Sequence, residues 1–297
     1  MTGTGLLQLP QSPSPPPIFS IGFQRGWTHS NGCQPSEGVA AVPEIWCVDI
    51  ETRPNEVFAW GLRDLTVGLS QIIRPGGLLM FAAQNVAGKK IESHAEWDGY
   101  EKMVKRSHEI YDRADYIVTF NGAKFDNKHL RAAWAQFGLT PPSPWRDIDL
   151  YKTVGQFQWP SRKLAFVCEQ LGLDLKSDPG GFDTWVQILK GEDEKKKLQA
   201  QRRMVKYCVN DVRITTQLFH RLKPWINGLN VPLHSGGNGD TSEVLLCTRC
   251  GGENIQQRGY AYTTTYRYRR YCCTDCGGWM RAARSEPLAN KDLLRNA

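Results

Sequence analysis

Ile45-Trp46-Cys47-Val48-Asp49-Ile50-Glu51-Thr52 is the stretch on which the reading of this chain turns. Ile45 to Ile50 is short, apolar and rich in strand formers, so it is expected to be a β-strand. In a strand, residues two apart share a face. Asp49 and Glu51 therefore project together, while Val48 and Ile50 turn to the opposite, buried face. Two neighbouring carboxylates on an otherwise apolar strand are costly unless a cation neutralises them. A divalent ion does so, and hard oxygen ligands suit magnesium or manganese. The alternative at this point is an acidic pair on a strand edge facing solvent.

Outward from this strand the pattern continues in short elements. After the turn Arg53-Pro54-Asn55 come two more β-prone runs, Val57 to Leu62 and, beyond Pro75-Gly76-Gly77, Leu78 to Ala83, so a three-stranded meander is expected. Residues 95–113 place Trp97, Tyr100, Met103, Val104, Ile110 and Tyr111 at helical spacing. Asp115 to Phe120 reads as a fourth strand ended by Asn121-Gly122, followed by a helix from Phe125 to Phe137 with Gly138 as its cap. A fifth strand is expected over Ile148 to Tyr151, and a helix over Ser161 to Leu171, capped by Ser161. Trp185 to Pro224 reads as mostly helical, and its polar stretch EDEKKKLQAQRR (192–203) as a solvated face. Strands first and helices interleaved later indicate a mixed α/β layer.

The chain has 297 residues, 40% hydrophobic and 23% charged, with a net charge of +7, a globular composition of one good-sized domain plus something smaller. No stretch is long and apolar enough to span a bilayer. The first Lys or Arg is Arg25 and no clean apolar block precedes it, so no secretory signal and no membrane partner are expected. Nine cysteines in such a chain point to metal sites or buried thiols before disulfides, and Cys47, Cys168 and Cys208, in apolar runs, read as buried thiols.

Two further acids join the first pair. Asp126 in FNGAKFDNKHL (120–130) follows a strand and a turn where a helix begins, which aims it into a cleft at the end of a sheet, or leaves it as a helix-entry acid. Asp211 in YCVND (207–211) has Tyr207 four residues before it, on the same helix face. The order DxE, then NGxxFDxxxL, then YxxxD resembles the DnaQ-like 3′→5′ exonucleases, the DEDD group of the ribonuclease H-like superfamily. Its third motif is similar to that of the tyrosine (DEDDy) subgroup. The resemblance covers roughly residues 43–226 and implies a mixed β-sheet flanked by helices. It implies that Asp49, Glu51, Asp126 and Asp211 hold two Mg2+ or Mn2+ ions about 3.5–4 Å apart. Asp49 would bridge both ions, Glu51 and Asp211 complete one site, and Asp126 help hold the other. Tyr207 would orient the attacking water, since a phenol with a free pKa near 10 is a poor general base. Asn121 and Phe125 match the second motif, which in the family lies along the substrate strand; Phe125 is read as core packing ahead of base stacking. Asp147 and Asp149 form a second D-x-D pair and rank behind these acids as ligands. Lys163 and Lys176 could contact phosphates but read as surface lysines.

Near the C-terminus, Cys247-x-x-Cys250 and Cys273-x-x-Cys276 offer four thiolates to one structural Zn2+, and the segment looks like a zinc ribbon. Cys272 offers a competing register, but only Cys273 makes a CxxC with Cys276. Between the knuckles lies RGYAYTTTYRYRRY (258–271), and Arg249 to Arg284 holds seven arginines against Glu253 and Asp275, a net +5. Arg267, Arg269 and Arg270 are expected to contact phosphates, with Tyr266 and Tyr268 stacking on bases.

The expected plan is a Pro-rich leader (1–42), an exonuclease domain (43–227), a flexible linker (228–243), the zinc ribbon (244–284) and a tail (285–297). The resemblance implies a metal-dependent 3′→5′ exonuclease acting on DNA ahead of RNA, in replication or repair. Its partners would be a nucleic acid with a free 3′ end and a DNA polymerase or replication complex, in the cytoplasm of a bacterial or phage-infected cell. Two other classes stay open: an inactive nucleic-acid-binding or replication accessory protein, and a strand-transfer recombinase.

Overall fold

The structure, a computed structural model, describes residues 43–61, 66–233, 244–263 and 266–286. The expected leader (1–42), most of the linker (234–243) and most of the tail (287–297) lie outside the described residues. The architecture is a mixed β-sheet flanked by helices, followed by a small cysteine-bearing β module.

Strand β1 (Ile45–Arg53) is the middle of a five-stranded sheet. It is followed by β2 (Glu56–Val57), β3 (Ile72–Arg74), β4 (Gly77–Asn85), β5 (Ile91–Ala95), α1 (Tyr100–Arg113), β6 (Tyr116–Thr119), α2 (Asp126–Gln136), β7 (Arg146–Asp149) and α3 (Leu150–Val154). The sheet order is β5-β4-β1-β6-β7. β4 runs antiparallel to β1 and β6 parallel to it, which makes the sheet mixed. The pleat works as the alternation requires. Trp46, Val48 and Ile50 pack with Leu78, Phe81 and Ala83 under α1 and α2. Ile45 and Cys47 pack with Leu79, Met80, Tyr116 and Val118 on the other face.

That second face is closed by the late helices. α4 (Leu164–Gln170) and α5 (Phe182–Lys190) precede α6 (Glu194–Leu222), a helix of 29 residues and so about 43 Å long. Met204, Cys208, Val212, Leu218 and Phe219 of α6 are all fully buried in this layer. Each buried side chain of Leu or Phe size contributes roughly 1.5–3 kcal/mol, so α6 is held firmly across the sheet. Lys195, Lys196 and Arg202 point to solvent, as its charge pattern implies.

Several boundaries differ from expectation. The second expected strand does not join the sheet: Glu56–Val57 pairs with Ile72–Arg74 as a separate two-stranded hairpin, Leu62 lies outside the described residues, and the antiparallel meander of the sheet is β1-β4-β5 instead. Charges tie this hairpin down, with Glu56 bonded to Lys190 at 2.6 Å and Arg53 and Arg74 both bonded to Glu96. β5 was not foreseen, because Ile91–Ala95 is polar and only half-buried at the sheet edge. The helical stretch expected over Trp185 to Pro224 is two helices broken at Gly191, with Asp193 capping the second through Lys195 and Lys196 N–H. Ser161 does not cap α4; its Oγ accepts from Lys163 N–H, and the helix starts after Lys163. Among the described residues no helix is long and apolar enough to cross a membrane.

The turn between β6 and α2 sets up the second acidic motif. Asn121 has φ +70°, a left-handed conformation that asparagine tolerates, and its N–H donates to Asp149 Oδ1 at 2.8 Å. A Cβ on Gly122 would lie 2.5 Å from Thr119 Cβ, which cannot swing away. Gly122→Ala is therefore expected to cost about 1–3 kcal/mol in urea unfolding. An unchanged denaturation midpoint would show that the turn can shift.

Candidate active site and four-cysteine module

Asp49 and Glu51 leave β1 on the face that α6 covers, and Asp211 comes down from α6 to meet them. One oxygen of each of these three carboxylates lies within 4.8 Å of the other two. α6 also presses Cys208 against Asp49, with Sγ 3.8 Å from Asp49 O and Oδ2, while Cys47 Sγ donates to Val212 O. Asp126, the first residue of α2, is buried beside the same strand, and its Oδ1 accepts from Ile50 N–H at 3.2 Å. The structure thus gathers three of the four expected acids into one cluster and sets the fourth against the strand between them.

Such crowding has an electrostatic consequence. Burial raises the Asp49 carboxyl well above the ordinary carboxylate range, and Asp126, Asp211 and Glu51 push it the same way. Glu51 is pushed up to about 7 by burial and by Asp211. Asp126 rises to about 7 by burial, against the hydrogen bonds it accepts from backbone N–H groups. Asp211 is also raised by burial, although Lys176 opposes this. Lys176 Nζ lies 2.6 Å from Asp211 Oδ2 and 4.8 Å from the centre of the Tyr207 ring. Burial disfavours its ammonium, but Asp211 outweighs that and raises its pKa.

Lys176 corrects the expectation of a surface lysine. It sits in the loop between α4 and α5, where no local pattern marks it, and reaches the site because Asn210 Nδ2 holds Leu175 O at 3.1 Å. One lysine does not balance three carboxylates, and buried Asp211 Oδ1 has no hydrogen-bond partner among the described residues. The donor set is all carboxylate oxygen, converging and under-neutralised, so it fits a hard divalent ion.

Tyr207 is buried beside Asp211 and Lys176, as the i, i+4 spacing requires. Burial pushes its phenol up to about 12, so it is a neutral donor at ordinary pH. Phe125 is 44% exposed, with its ring 4.6 Å from His129, which corrects the core-packing expectation. Asn121 lies in the turn already described. The competing pair is occupied structurally: Asp147 Oδ1 accepts from Asn127 Nδ2 and Trp145 Nε1, and Asp149 Oδ1 from Asn121 and Tyr151 N–H. Lys163 is the N-cap of α4 and makes no side-chain capping bond. Cys47, Cys168 and Cys208 are buried thiols, as expected.

The four cysteines converge as well. The Sγ atoms of Cys247, Cys250, Cys273 and Cys276 lie within 4.8 Å of one another, with Cys247–Cys276 and Cys250–Cys273 at 3.7 Å. A tetrahedron with metal–sulfur bonds of about 2.3 Å has edges of about 3.8 Å, so these spacings fit a zinc ion. Arg249 and Gly252 N–H donate to Cys247 and Cys250 Sγ at 3.4 Å. The module is a three-stranded sheet of β8 (Ile255–Tyr262), β9 (Arg267–Cys273) and β10 (Trp279–Arg281) in the order β10-β9-β8, which fits a zinc ribbon. Cys272 pairs with Trp279 across the sheet and stays outside the cluster. Of the expected contact residues, Arg267 and Arg269 are bound to Glu286 at 3.2 and 2.7 Å, Arg270 lies over the Trp279 ring and Tyr268 under Arg281. Tyr266 is exposed at the hairpin turn.

Folded Glu51 keeps its proton between the ordinary value of 4.5 and about 7, where the unfolded chain has lost it. The stability of the metal-free protein is therefore expected to fall as pH rises through that window. Glu51→Gln should flatten this fall in thermal unfolding with chelator present. An unaltered profile would mean that Glu51 ionises normally and the acids are not crowded.

Residues 47–223 match the family model described as the RNase_H superfamily, a span that contains all of β1 from Cys47 onward, the Asn121-Gly122 turn, Asp126 and Asp211. No curated protein matches the sequence. Among solved structures, the family B DNA polymerase from the hyperthermophilic archaeon Pyrobaculum calidifontis is similar at 17% identity and a TM-score of 0.45. The match covers 78% of this chain but 32% of the polymerase, so the chain spans about a third of that protein's length. With its mixed sheet, its acids on the central strand and a family match over more than half of its residues, the chain belongs to the RNase H superfamily.

Proposed function

We propose that this protein is a metal-dependent 3′→5′ exonuclease of the DEDDy kind, hydrolysing phosphodiester bonds one nucleotide at a time from a free end. The observation that carries this reading is the meeting of Asp49, Glu51 and Asp211 within 4.8 Å, with Tyr207 alongside on α6. These three acids would hold one divalent ion, and Asp126 would help Asp49 hold a second. Divalent ions in such a site stabilise the attacking and leaving oxygens of an in-line phosphoryl displacement.

The remaining roles belong to the chain's own side chains. Tyr207, neutral at working pH, donates its phenolic hydrogen to position the attacking water and does not take a proton from it. Lys176 keeps Asp211 ionised and therefore competent as a ligand. Phe125, exposed at the start of α2, offers a ring on which the terminal base can stack. The zinc ribbon, carrying most of the excess positive charge, holds the nucleic acid through its phosphates.

Asp49→Ala is expected to lower hydrolysis about a thousandfold or more while far-UV circular dichroism stays unchanged, since losing a ligand removes several kcal/mol of charge stabilisation. Substrates of DNA and RNA, each labelled and blocked at one terminus, test direction and sugar preference together. Stepwise release only when the 3′ end is open supports the reading, and cleavage of both blocked forms at internal bonds refutes it. Tyr207→Phe should slow the reaction about 10- to 100-fold without abolishing it, as expected when a reactant is misplaced. An unchanged rate would remove Tyr207 from the positioning role.

A further inference from the structure

The arginine-rich hairpin of the ribbon has two unlike faces. Across the ladder Tyr262 pairs with Arg267 and Tyr260 with Arg269, so these four side chains share one face. On that face Glu286 takes both arginines, at 3.2 and 2.7 Å, and Arg267 also covers the Tyr260 ring at 4.7 Å. Two cations there share one anion, so both are held in ion pairs within the module.

The opposite face carries Tyr268, Arg270 and Cys272 from β9, with Trp279 and Arg281 opposite them on β10. Arg270 lies 5.0 Å from the Trp279 ring centre, and Arg281 3.9 Å from that of Tyr268. Arg270 Nε is spent on Arg258 O, at a bulge of β8, and the Arg258 guanidinium donates to Gln256 Oε1. Among the described residues Arg258, Arg270 and Arg281 have no acidic partner, so this face presents three unopposed charges. Trp279 is 49% exposed.

We infer that this second face, built on Arg270, Trp279, Arg281 and Tyr268, is where the ribbon takes the phosphates and bases of a single-stranded nucleic acid. The inference rests on the reading above that the ribbon binds nucleic acid. Stacking a guanidinium on an aromatic ring fixes its plane before any ligand arrives, which limits the side-chain entropy lost on binding. The edges of Arg270 and Arg281 stay free to donate to phosphate oxygens. Half-exposed Trp279 offers a flat surface to an unpaired base. An acidic peptide would satisfy the charges but has no use for such rings.

The test is binding of a fluorescent single-stranded oligonucleotide to the full chain in the Asp49→Ala background, where substrate is not consumed, over a series of salt concentrations. Zinc content confirms that each variant keeps its ribbon. Arg270→Gln with Arg281→Gln should weaken binding about tenfold or more. It should also reduce the slope of log affinity against log salt by about 1.4, for two phosphates at roughly 0.7 each. Arg267→Gln with Arg269→Gln removes the same formal charge and should change affinity less than twofold. Trp279→Leu should weaken binding with the slope unchanged. Equal losses in the two double variants would overturn the choice of face and leave the ribbon a binder. No loss in either, or in the fourfold variant, would overturn the ribbon's part in binding altogether, while leaving the exonuclease reading to its own assay. Polyglutamate binding that depends on Arg270 and Arg281, with oligonucleotide binding indifferent to them, would assign the face to an acidic protein and sink the inference.

Discussion

Three carboxylates held within 4.8 Å of one another in a partly buried site are the constraint around which the large domain is arranged. Left alone they repel: burial raises all three, neighbouring acids push Asp49 and Glu51 further up, and Lys176 opposes the rise at Asp211. Something must hold them together against that repulsion. The sheet does so from one side, because β1 is flanked by β4 and β6 and cannot move away. From the other side α6 does so, because the buried side chains that run from Met204 to Leu222 anchor it across the sheet. Packing energy is thus used to maintain an electrostatically unfavourable cluster, the usual arrangement where a protein needs to bind a cation.

Other acids near the site serve the fold, and the distinction is one of hydrogen bonding. Asp147 and Asp149 each commit their Oδ1 to two donors, Asn127 and Trp145 for the one and Asn121 and Tyr151 for the other, which fixes the turn and the helix that carry Asp126. Asp211 Oδ1, by contrast, is buried without a partner among the described residues. A satisfied carboxylate has little to gain from an ion, whereas an unsatisfied one has a desolvation cost still to recover. Lys176 recovers part of it at the other oxygen of Asp211.

The cysteine module repeats the principle with softer ligands. Four sulfurs spaced as the edge of a tetrahedron would repel as thiolates and are natural ligands of one zinc ion. The module is too small to bury a large core, so the cysteine cluster and the short sheet organise it together. Its arginines are then sorted by the pleat of β9 into one set paired with Glu286 and another stacked on Trp279 and Tyr268.

Much of this was legible in the chain itself. The shared face of Asp49 and Glu51, the neighbourhood of Tyr207 and Asp211, and the pairing of the two CxxC knuckles follow from spacings of two to four residues, which the covalent geometry of strand, helix and turn converts directly into direction. A mixed α/β layer was readable from the order of strands and helices, whereas the mixed β-sheet was implied by the family resemblance. What folding alone decided lies between residues far apart: the departure of Glu56–Val57 from the sheet, the added edge strand β5, the arrival of Lys176 at Asp211, the exposure of Phe125 and the capture of Arg267 and Arg269 by Glu286. No local period encodes such meetings. They depend on how whole elements pack, and side chains such as Lys176 and Glu286, alone in irregular segments, acquire their roles only when that packing brings a partner of opposite charge within reach.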